Sequence, residues 1–301
     1  MLDMMPSVLT LISPTIGGLS NDIVDQAANV IHHSGATLNQ RDWLSDGEAC
    51  DLYFSGAKAN TIDQALRQSL GGVGVDMAIQ QVQGRQKKLL LSDMDSTIVT
   101  AETLDELADH AGLKEKISAI TARAMNGDIR FRDALAERVV MLRGLSSDTL
   151  AATMERITYS PGAETLVRTM SAHGAYTALV SGGFQYFTTR VKAALGFDFD
   201  AGNDIEIIDG KLTGNVQGDI VTKDVKREIL IRLAKQQDID ITETLSVGDG
   251  ANDLPMIMEA GTGVAYHAKP TVVASAPFRI DYAGLDALLF MQGYRRDQFV
   301  A

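Results

Sequence analysis

The chain has 301 residues, 45% of them hydrophobic, so it is long and apolar enough to form two packed domains. Its 27 basic and 39 acidic residues give a formal net charge of −12, which disfavours nonspecific binding to nucleic acid or to an anionic membrane surface. The single cysteine, Cys50, excludes an intramolecular disulfide and a thiolate metal cluster, and no apolar stretch is long enough to cross a bilayer, so we expect a cytoplasmic globular protein.

Residues 1–84 alternate short strands and helices in the order βαββαβ. The predicted elements are Ser7–Ile12, Leu19–His33, Thr37–Leu44, Ala49–Ser55, Ile62–Leu70 and Asp76–Val82. This order predicts a ferredoxin-like domain. With Gly17 and Gly18 after the first strand and Gly35 closing the first helix, it resembles the ACT regulatory domain. The resemblance implies an amino-acid effector at the Gly17–Gly18 loop; the alternative is a domain used only for packing or for forming a homodimer.

A short polar connector, residues 84–88, leads into the apolar strand Leu89–Ser92, which runs directly into Asp93 and Asp95. Strands of this kind are buried in parallel sheets, and ligands bind where such strands reach their carboxyl ends. Two unpaired anions at the edge of a core would be costly. The pattern therefore predicts a bound cation or a shared proton at this strand end.

The segment from about residue 101 to 158 replaces the strand and helix alternation with consecutive helical patterns, which predicts a helical cap. A plain helical subdomain is the alternative. Glu102, Phe131 and Arg138 give the segment chemistry that packing does not require. Met125 fits a core filler that could also line a substrate pocket beside Phe131.

Two further strand-like runs end in groups suited to an anion or a metal ion. Residues 176–180 lead into Ser181, Gly182 and Gly183, which offer a hydroxyl and close backbone N–H groups. Residues 244–247 lead into a glycine-rich turn with two carboxylates and an amide: Asp249, Asn252 and Asp253. Both runs therefore predict ligand-binding strand ends.

The region between these two strand ends contains a hairpin-like excursion and one conspicuous cation. Gly210 and Gly214 punctuate the extended runs 205–208 and 216–220, to which we assign no catalytic role. Lys226 then lies in the first turn of an amphipathic helix, where the helix dipole disfavours a positive charge. A nearby anion explains that placement.

The motifs in chain order resemble the haloacid dehalogenase superfamily of phosphotransferases. They are DxDxT at Asp93–Thr97, then Ser181, then Lys226, and GDGxND at Gly248–Asp253. Glu102, Phe131 and Arg138 narrow the resemblance to the phosphoserine phosphatase family. The implied fold is α/β, with a Rossmann-like core of parallel sheet and a C1-type helical cap over residues 85–301, preceded by the ferredoxin-like, ACT-like domain.

The resemblance implies Mg²⁺-dependent hydrolysis of O-phospho-L-serine to L-serine and phosphate, the last step of serine biosynthesis. Asp93 is the expected nucleophile that forms an aspartyl-phosphate, and Asp95 the general acid and then the general base. The implied Mg²⁺ ligands are Asp93, the backbone carbonyl of Asp95, and Asp249, with Asp253 orienting them and pairing with Lys226.

The resemblance also assigns the substrate contacts. The phosphoryl oxygens are expected to be held by four groups: the Ser181 hydroxyl, the Gly182 N–H, Lys226 and Asn252. Arg138 suits the carboxylate of a free amino acid and Glu102 its ammonium group, with Phe131 and Met125 lining the pocket. Ordinary alternatives are a first-turn helix acid for Glu102 and an exposed ion pair for Arg138.

Two other functions remain open from the sequence. One is the same core acting on another small phosphomonoester, such as phosphohomoserine. The other is an amino-acid-sensing regulatory protein whose catalytic core is vestigial, against which the complete set of motif residues argues.

Overall fold

The computed structural model describes residues 6–125 and 128–300, and the side chain of Met125 lies outside this description. Within these ranges the strands, numbered along the chain, are β1 (Ser7–Ile12), β2 (Thr37–Ser45), β3 (Ala49–Ser55), β4 (Asp76–Gln81), β5 (Leu89–Ser92), β6 (Tyr176–Phe184), β7 (Phe199–Ile208), β8 (Lys211–Gln217), β9 (Thr244–Gly248), β10 (Thr262–Tyr266) and β11 (Phe278–Ile280). The α-helices are α1 (Asn21–His33), α2 (Ala59–Leu70), α3 (Thr103–Asp109), α4 (Lys114–Met125), α5 (Phe131–Met141), α6 (Asp148–Met154), α7 (Ala163–Ala172), α8 (Gln185–Leu195), α9 (Lys223–Gln236), α10 (Leu254–Glu259), α11 (Pro270–Val273) and α12 (Ala287–Met291). No helix in the described ranges has the length and apolar character needed to cross a membrane.

The chain folds into two compact units, and the first contains more than the N-terminal segment. It comprises the chain up to Lys87, Pro161–His173, and the chain from Phe278 onward. Its sheet has the order β2-β3-β1-β4 with antiparallel neighbours, and α1 and α2 pack on one face of it. This is the ferredoxin-like arrangement that the βαββαβ pattern predicts, and that part of the fold class is confirmed.

Both faces of this first sheet are covered. Every residue of β1 is buried, although alternate side chains of a strand point to opposite faces. Leu9 and Leu11 join the apolar cluster under α1 and α2, so Thr10 points to the other face. Helix α12 packs against β1, and the buried Asp76 carboxylate accepts hydrogen bonds from backbone N–H groups such as that of Ala283 (2.8 Å). Segments from the end of the chain are therefore part of this unit's core.

The second unit, Lys88–Ser160 with Gly174–Pro277, is built on strands in the order β10-β9-β5-β6-β7-β8. Neighbours are parallel except for the antiparallel pair β7 and β8, which confirms the predicted parallel α/β core. An apolar cluster joins α9 to β5 and β6. Because β5, β6 and β9 run parallel and adjacent, their carboxyl ends meet at one edge of the sheet.

Helices α3 to α6 form the predicted cap, inserted through a narrow neck. Val99 and Tyr159 pair as an antiparallel bridge where the chain leaves and re-enters the core, and the Ser160 N–H donates to the Ile98 carbonyl (2.9 Å). The cap limits of about 101–158 stay a prediction, and this neck lies next to both ends of that segment.

The hairpin differs in detail from the sequence prediction. Its second strand begins at Lys211, so Gly214 lies inside β8 and does not end a strand. A Cβ atom at Gly214 would lie 3.2 Å from Cα of Val140 and 3.1 Å from Cβ of Arg143. This glycine therefore permits the close approach of α5, which local turn reasoning cannot show.

Candidate active site

Three carboxylates converge where β5 and β9 end. Oxygen atoms of Asp93, Asp249 and Asp253 all lie within 4.8 Å of one another, and all three side chains are buried. Glycine allows the approach at Gly248, where a Cβ atom would lie 2.5 Å from Cγ of Asp253. The structure thus brings together the acids that the sequence places on separate strands.

Lys226 neutralises part of this negative charge. Its Nζ donates hydrogen bonds to Oδ1 of Asp93 and to Oδ1 of Asp253 (2.7 Å), and its side chain is 1% exposed. Burial opposes the ammonium charge, but Asp253 and Asp93 outweigh it and raise the pKa of Lys226. The anion that the sequence requires near Lys226 is therefore this pair of carboxylates.

The three acids carry more negative charge than one lysine can balance. Burial first, and then Asp253, raise the pKa of Asp93 above its ordinary value and that of Asp249 to about 6. Lys269 lies 3.5 Å from Asp249 but is 38% exposed. Carboxylate oxygens at such a buried, negatively charged point are the donor set that Mg²⁺ prefers, so the residues present fit the predicted ion.

We expect Mg²⁺ to stabilise the protein increasingly as the pH rises. A carboxyl group with a raised pKa in the folded state binds more protons folded than unfolded, so without metal the free energy of unfolding falls as the pH rises from about 4 through the folded pKa. The folded values are about 6 for Asp249 and about 8 for Glu102. Thermal unfolding in EDTA and in excess Mg²⁺, from about pH 5 to about pH 8, measures this.

The Glu102→Gln variant is the control for this prediction. In EDTA it should lose the fall in the free energy of unfolding that Glu102 causes up to about pH 8, and keep the fall that Asp249 causes up to about pH 6. A melting temperature in EDTA that rises steadily over the whole range, with a Mg²⁺ effect independent of pH, would contradict the prediction.

Asp95 is held by three hydrogen bonds. Its Oδ1 accepts from the backbone N–H (2.8 Å) and the hydroxyl (2.6 Å) of Thr103, and its Oδ2 accepts from the Ser181 hydroxyl (2.6 Å). Ser96, at φ 56°, makes the left-handed turn that follows. Sequence reasoning missed Thr103; its hydroxyl at the first position of the first cap helix was the available signal.

We expect Thr103→Val to lower kcat about 10-fold for every phosphomonoester, because one of the two Thr103 donors to Asp95 is lost while the shape is kept. Steady-state kinetics with phosphoserine and with an aryl phosphate measure this effect. Thr103→Ser, which retains the hydroxyl, should restore most of the rate. A normal kcat in well-folded Thr103→Val would show that Asp95 does not need this bond.

The sequence predicts that the strand ends before Ser181, but β6 continues to Phe184, with irregular pairing to β7 after Val180, so Ser181–Gly183 lie in its last part, against the cap. The Gly183 N–H donates to the Ser181 hydroxyl oxygen (2.8 Å), and a Cβ atom at Gly182 would lie 2.6 Å from Cζ of Phe131. The aromatic ring therefore covers the backbone that is predicted to bind phosphate. Asn252 donates to Oδ1 of Asp253 (3.2 Å), which places its amide at the same edge.

A cavity of about 880 Å³ opens between these strand ends and the cap. Predicted residues that line it are Asp93, Asp95, Glu102, Phe131, Arg138, Ser181, Gly182, Asn252 and Asp249. Lys226 and Asp253 are buried and are not among the lining residues. The prediction for the Met125 side chain falls outside the described residues.

Arg138 and Glu102 are the less exposed charged groups of the cap on this cavity; Asp128, Arg130, Arg132 and Asp133 also line it but are exposed. Arg138 is 6% exposed and donates to the Thr121 hydroxyl (3.0 Å) and the Ala134 carbonyl (3.2 Å), so the alternative of an exposed ion pair is wrong. Burial lowers its pKa somewhat. Glu102 accepts from the Ser96 hydroxyl (2.9 Å), and burial together with Asp95 raises the pKa of Glu102 to about 8.

Comparison with known proteins identifies the family of this chain. A model of the haloacid dehalogenase-like hydrolase family matches residues 90–258, more than half of the chain. The chain belongs to this family. It is 36% identical to a phosphoserine phosphatase of Streptomyces coelicolor over 255 residues, which are 84% of this chain and 62% of that protein. It is also 40% identical to a phosphoserine phosphatase of Vibrio cholerae over 247 residues, 82% of this chain and 72% of that protein.

Solved structures of this family extend the likeness to the first unit. A haloacid dehalogenase family hydrolase from Salmonella enterica serovar Typhi superposes with a TM-score of 0.84 at 31% identity, over 95% of this chain and 98% of that one. The chain nevertheless spans less than two thirds of the length of the Streptomyces relative.

Proposed function

We propose that the protein is a Mg²⁺-dependent phosphatase that hydrolyses O-phospho-L-serine to L-serine and phosphate. One observation carries this proposal. One cavity places a buried carboxylate cluster opposite a cap whose less exposed charged groups there are one guanidinium and one carboxyl group, Arg138 and Glu102. The end of the cavity at the carboxylate cluster, where Mg²⁺ would bind, suits a phosphoryl group. The end at the cap suits the two charges of a free amino acid. The relatives in Streptomyces and Vibrio are phosphoserine phosphatases.

In the first half-reaction, Asp93 attacks phosphorus and the bond to the serine oxygen breaks, leaving an aspartyl-phosphate. Asp95, held by Thr103 and Ser181, is placed to protonate the departing oxygen. Bound Mg²⁺ would be held by Asp93, Asp249 and the Asp95 carbonyl, and would supply positive charge against the phosphoryl oxygens.

In the second half-reaction, Asp95 takes a proton from water as the water attacks the aspartyl-phosphate. Asp93 then leaves as a free carboxylate and phosphate is released. Lys226 stays bonded to Asp93 and Asp253, so it fixes the nucleophile and offsets charge throughout. Ser181, Gly182 and Asn252 provide polar groups at the phosphoryl end of the cavity.

Substrate choice depends on the cap. A bidentate bond from Arg138 to the substrate carboxylate, with Glu102 facing its ammonium group, fixes the distance between amino acid and phosphorus. Phosphohomoserine is longer by one methylene and would place its phosphorus too near the nucleophile. We therefore propose phosphoserine over phosphohomoserine, and serine biosynthesis as the setting.

A phosphate-release assay on a small panel tests this proposal. We expect phosphoserine to give the highest kcat/KM among phosphoserine, phosphothreonine, phosphohomoserine and p-nitrophenyl phosphate, and EDTA to abolish the activity. A higher value for phosphohomoserine would shift the proposal to the alternative substrate. No release from any member with Mg²⁺ present would favour a regulatory protein with a vestigial core.

An amino-acid effector on the first unit stays a prediction. The Gly17 and Leu19 N–H groups both donate to the Gly47 carbonyl (2.9 Å each), and the Gly18 N–H donates to the Thr15 carbonyl. These three backbone donors are therefore already hydrogen-bonded within the protein. Calorimetric titration of the full chain with serine, using Asp93→Asn to prevent turnover, would count the sites. We expect a second site only if the ACT-like prediction holds; a single site abolished by Arg138→Ala would leave packing or homodimer formation as the role.

A further inference from the structure

Asn203 places a buried amide inside β7, although asparagine is depleted in strands and a buried amide is costly without hydrogen bonds. The side chain has no exposed surface. Its Nδ2 donates to the Gly182 carbonyl (2.7 Å), and its Oδ1 accepts from the Val221 N–H (2.8 Å). These two backbone partners fix which way the amide points, since one is an acceptor and the other a donor.

The first of these bonds acts on the Ser181–Gly183 segment of β6, which is predicted to bind phosphate. The Gly182 carbonyl and the Gly183 N–H belong to the same peptide group, so the Asn203 bond sets the tilt of that group. Its N–H end donates to the Ser181 hydroxyl oxygen (2.8 Å), and that hydroxyl donates to Asp95 (2.6 Å). Asn203 thus begins a chain of aligned hydrogen bonds that ends at Asp95 and orients the Ser181 hydroxyl.

The second bond acts on the segment that leads to Lys226. Val221 precedes Thr222, whose hydroxyl caps α9 by accepting from the Val225 N–H (3.4 Å). Lys226 lies in the first turn of this helix and reaches Asp93. One buried amide therefore connects the strand end that carries Ser181 to the helix start that carries Lys226.

We propose that Asn203 is a positioning residue for the phosphoryl site, which holds Ser181 and the Gly182–Gly183 peptide in register with the start of α9. The inference rests on the proposed phosphatase function. The Asn203 amide bonds to Gly182 and Val221, neither of which belongs to the cap, so Asn203 should affect all phosphomonoesters alike and leave the preference among them unchanged.

Two variants and one matched control test this role. Asn203→Asp keeps the size and the acceptor but turns the Nδ2 donor into an oxygen facing the Gly182 carbonyl, and Asn203→Ala removes both bonds. The control is Thr244→Val. The Thr244 hydroxyl is also fully buried and bridges two backbone groups, donating to Ile241 (2.7 Å) and accepting from Gly261 (3.2 Å), but at the amino end of β9, away from the cavity.

We expect both Asn203 variants to lower kcat/KM by about 10- to 100-fold, by the same factor for phosphoserine and p-nitrophenyl phosphate. The inhibition constant of inorganic phosphate should rise, and the affinity for phosphate measured by calorimetry should fall by a similar factor. Thr244→Val should lose stability but keep the kcat/KM of the folded fraction, as judged by circular dichroism.

Asn203 variants with normal kinetics and normal phosphate affinity would overturn the proposal. A loss of kcat/KM equal to that of Thr244→Val would also overturn it, because the Asn203 amide would then have only a structural role. If the protein hydrolyses p-nitrophenyl phosphate and not phosphoserine, the proposed function fails, while the aryl-phosphate comparison and phosphate affinity still decide the role of Asn203.

Discussion

Asp93→Asn is expected to abolish phosphate release, with a loss on the order of 10⁴-fold or more, because an amide keeps the shape of the nucleophile but cannot form the aspartyl-phosphate. The fold should survive. Burial raises the pKa of Asp93, so the structure disfavours its charge, and a neutral amide oxygen can still accept from Lys226. Phosphate release and thermal unfolding of the same preparation measure both effects.

The matched control for Asp93→Asn is Asp198→Asn. Asp198 accepts from the Thr177 N–H (2.8 Å) at the amino end of β6, opposite the edge that carries the cavity. This variant should retain its rate. Phosphate release by well-folded Asp93→Asn within about 100-fold of the wild type would remove Asp93 from the nucleophile's role.

Arg138→Ala is expected to lower kcat/KM for phosphoserine by about 100-fold while changing that for p-nitrophenyl phosphate only slightly. The guanidinium is buried on the cavity wall, and only the amino acid offers it a carboxylate. The ratio of the two kcat/KM values is the measurement, because it cancels any loss of folded protein.

Arg143→Ala controls for damage to the cap. Arg143 follows the same helix, but it donates to the Thr213 carbonyl (2.9 Å) on β8 and does not line the cavity. Arg143→Ala should change kcat/KM by the same factor for phosphoserine and for p-nitrophenyl phosphate. Equal losses on both substrates in Arg138→Ala as well would mean that Arg138 supports cap folding or the phosphate end of the site.

The core of the site could be predicted because it depends on local sequence and one topological rule. Apolar runs that end in Asp93, Ser181 and Asp249 identify buried strands, and parallel strands bring such ends to one edge. The chemistry of each residue type then limits its role. The cap could be located for a similar reason, since its helical periodicity interrupts the strand pattern.

Contacts made across the fold could not be predicted in the same way. Thr103 reaches Asp95 because the first cap helix, α3, begins beside β6, and Asn203 meets Gly182 because β7 pairs with β6. The sequence position of each residue gives a local signal at most and does not show which distant group it bonds. Their partners lie 8 and 21 positions away, and only the register of the fold sets those distances.

Which segments of the chain form the first unit could not be predicted either, because that also depends on contacts between distant residues. The polar residues 84–88 predict only a short connector, whereas Arg85 in it is 8% exposed and pairs with the buried Asp51 (2.7 Å) on β3. Its Nη2 also donates to Phe290 (3.2 Å) in α12. A buried ion pair between distant segments leaves no periodic trace in the sequence.

Isotope exchange between serine and phosphoserine tests the proposed reaction most directly. If the phosphoryl group passes to Asp93, serine leaves before water attacks, so added serine can take the phosphoryl group back. We expect radiolabelled L-serine to enter the phosphoserine pool during turnover by the wild type with Mg²⁺, and not with Asp93→Asn. Rapid phosphate release from phosphoserine with no label in that pool, even at saturating serine, would contradict a covalent Asp93 intermediate in a serine-selective site.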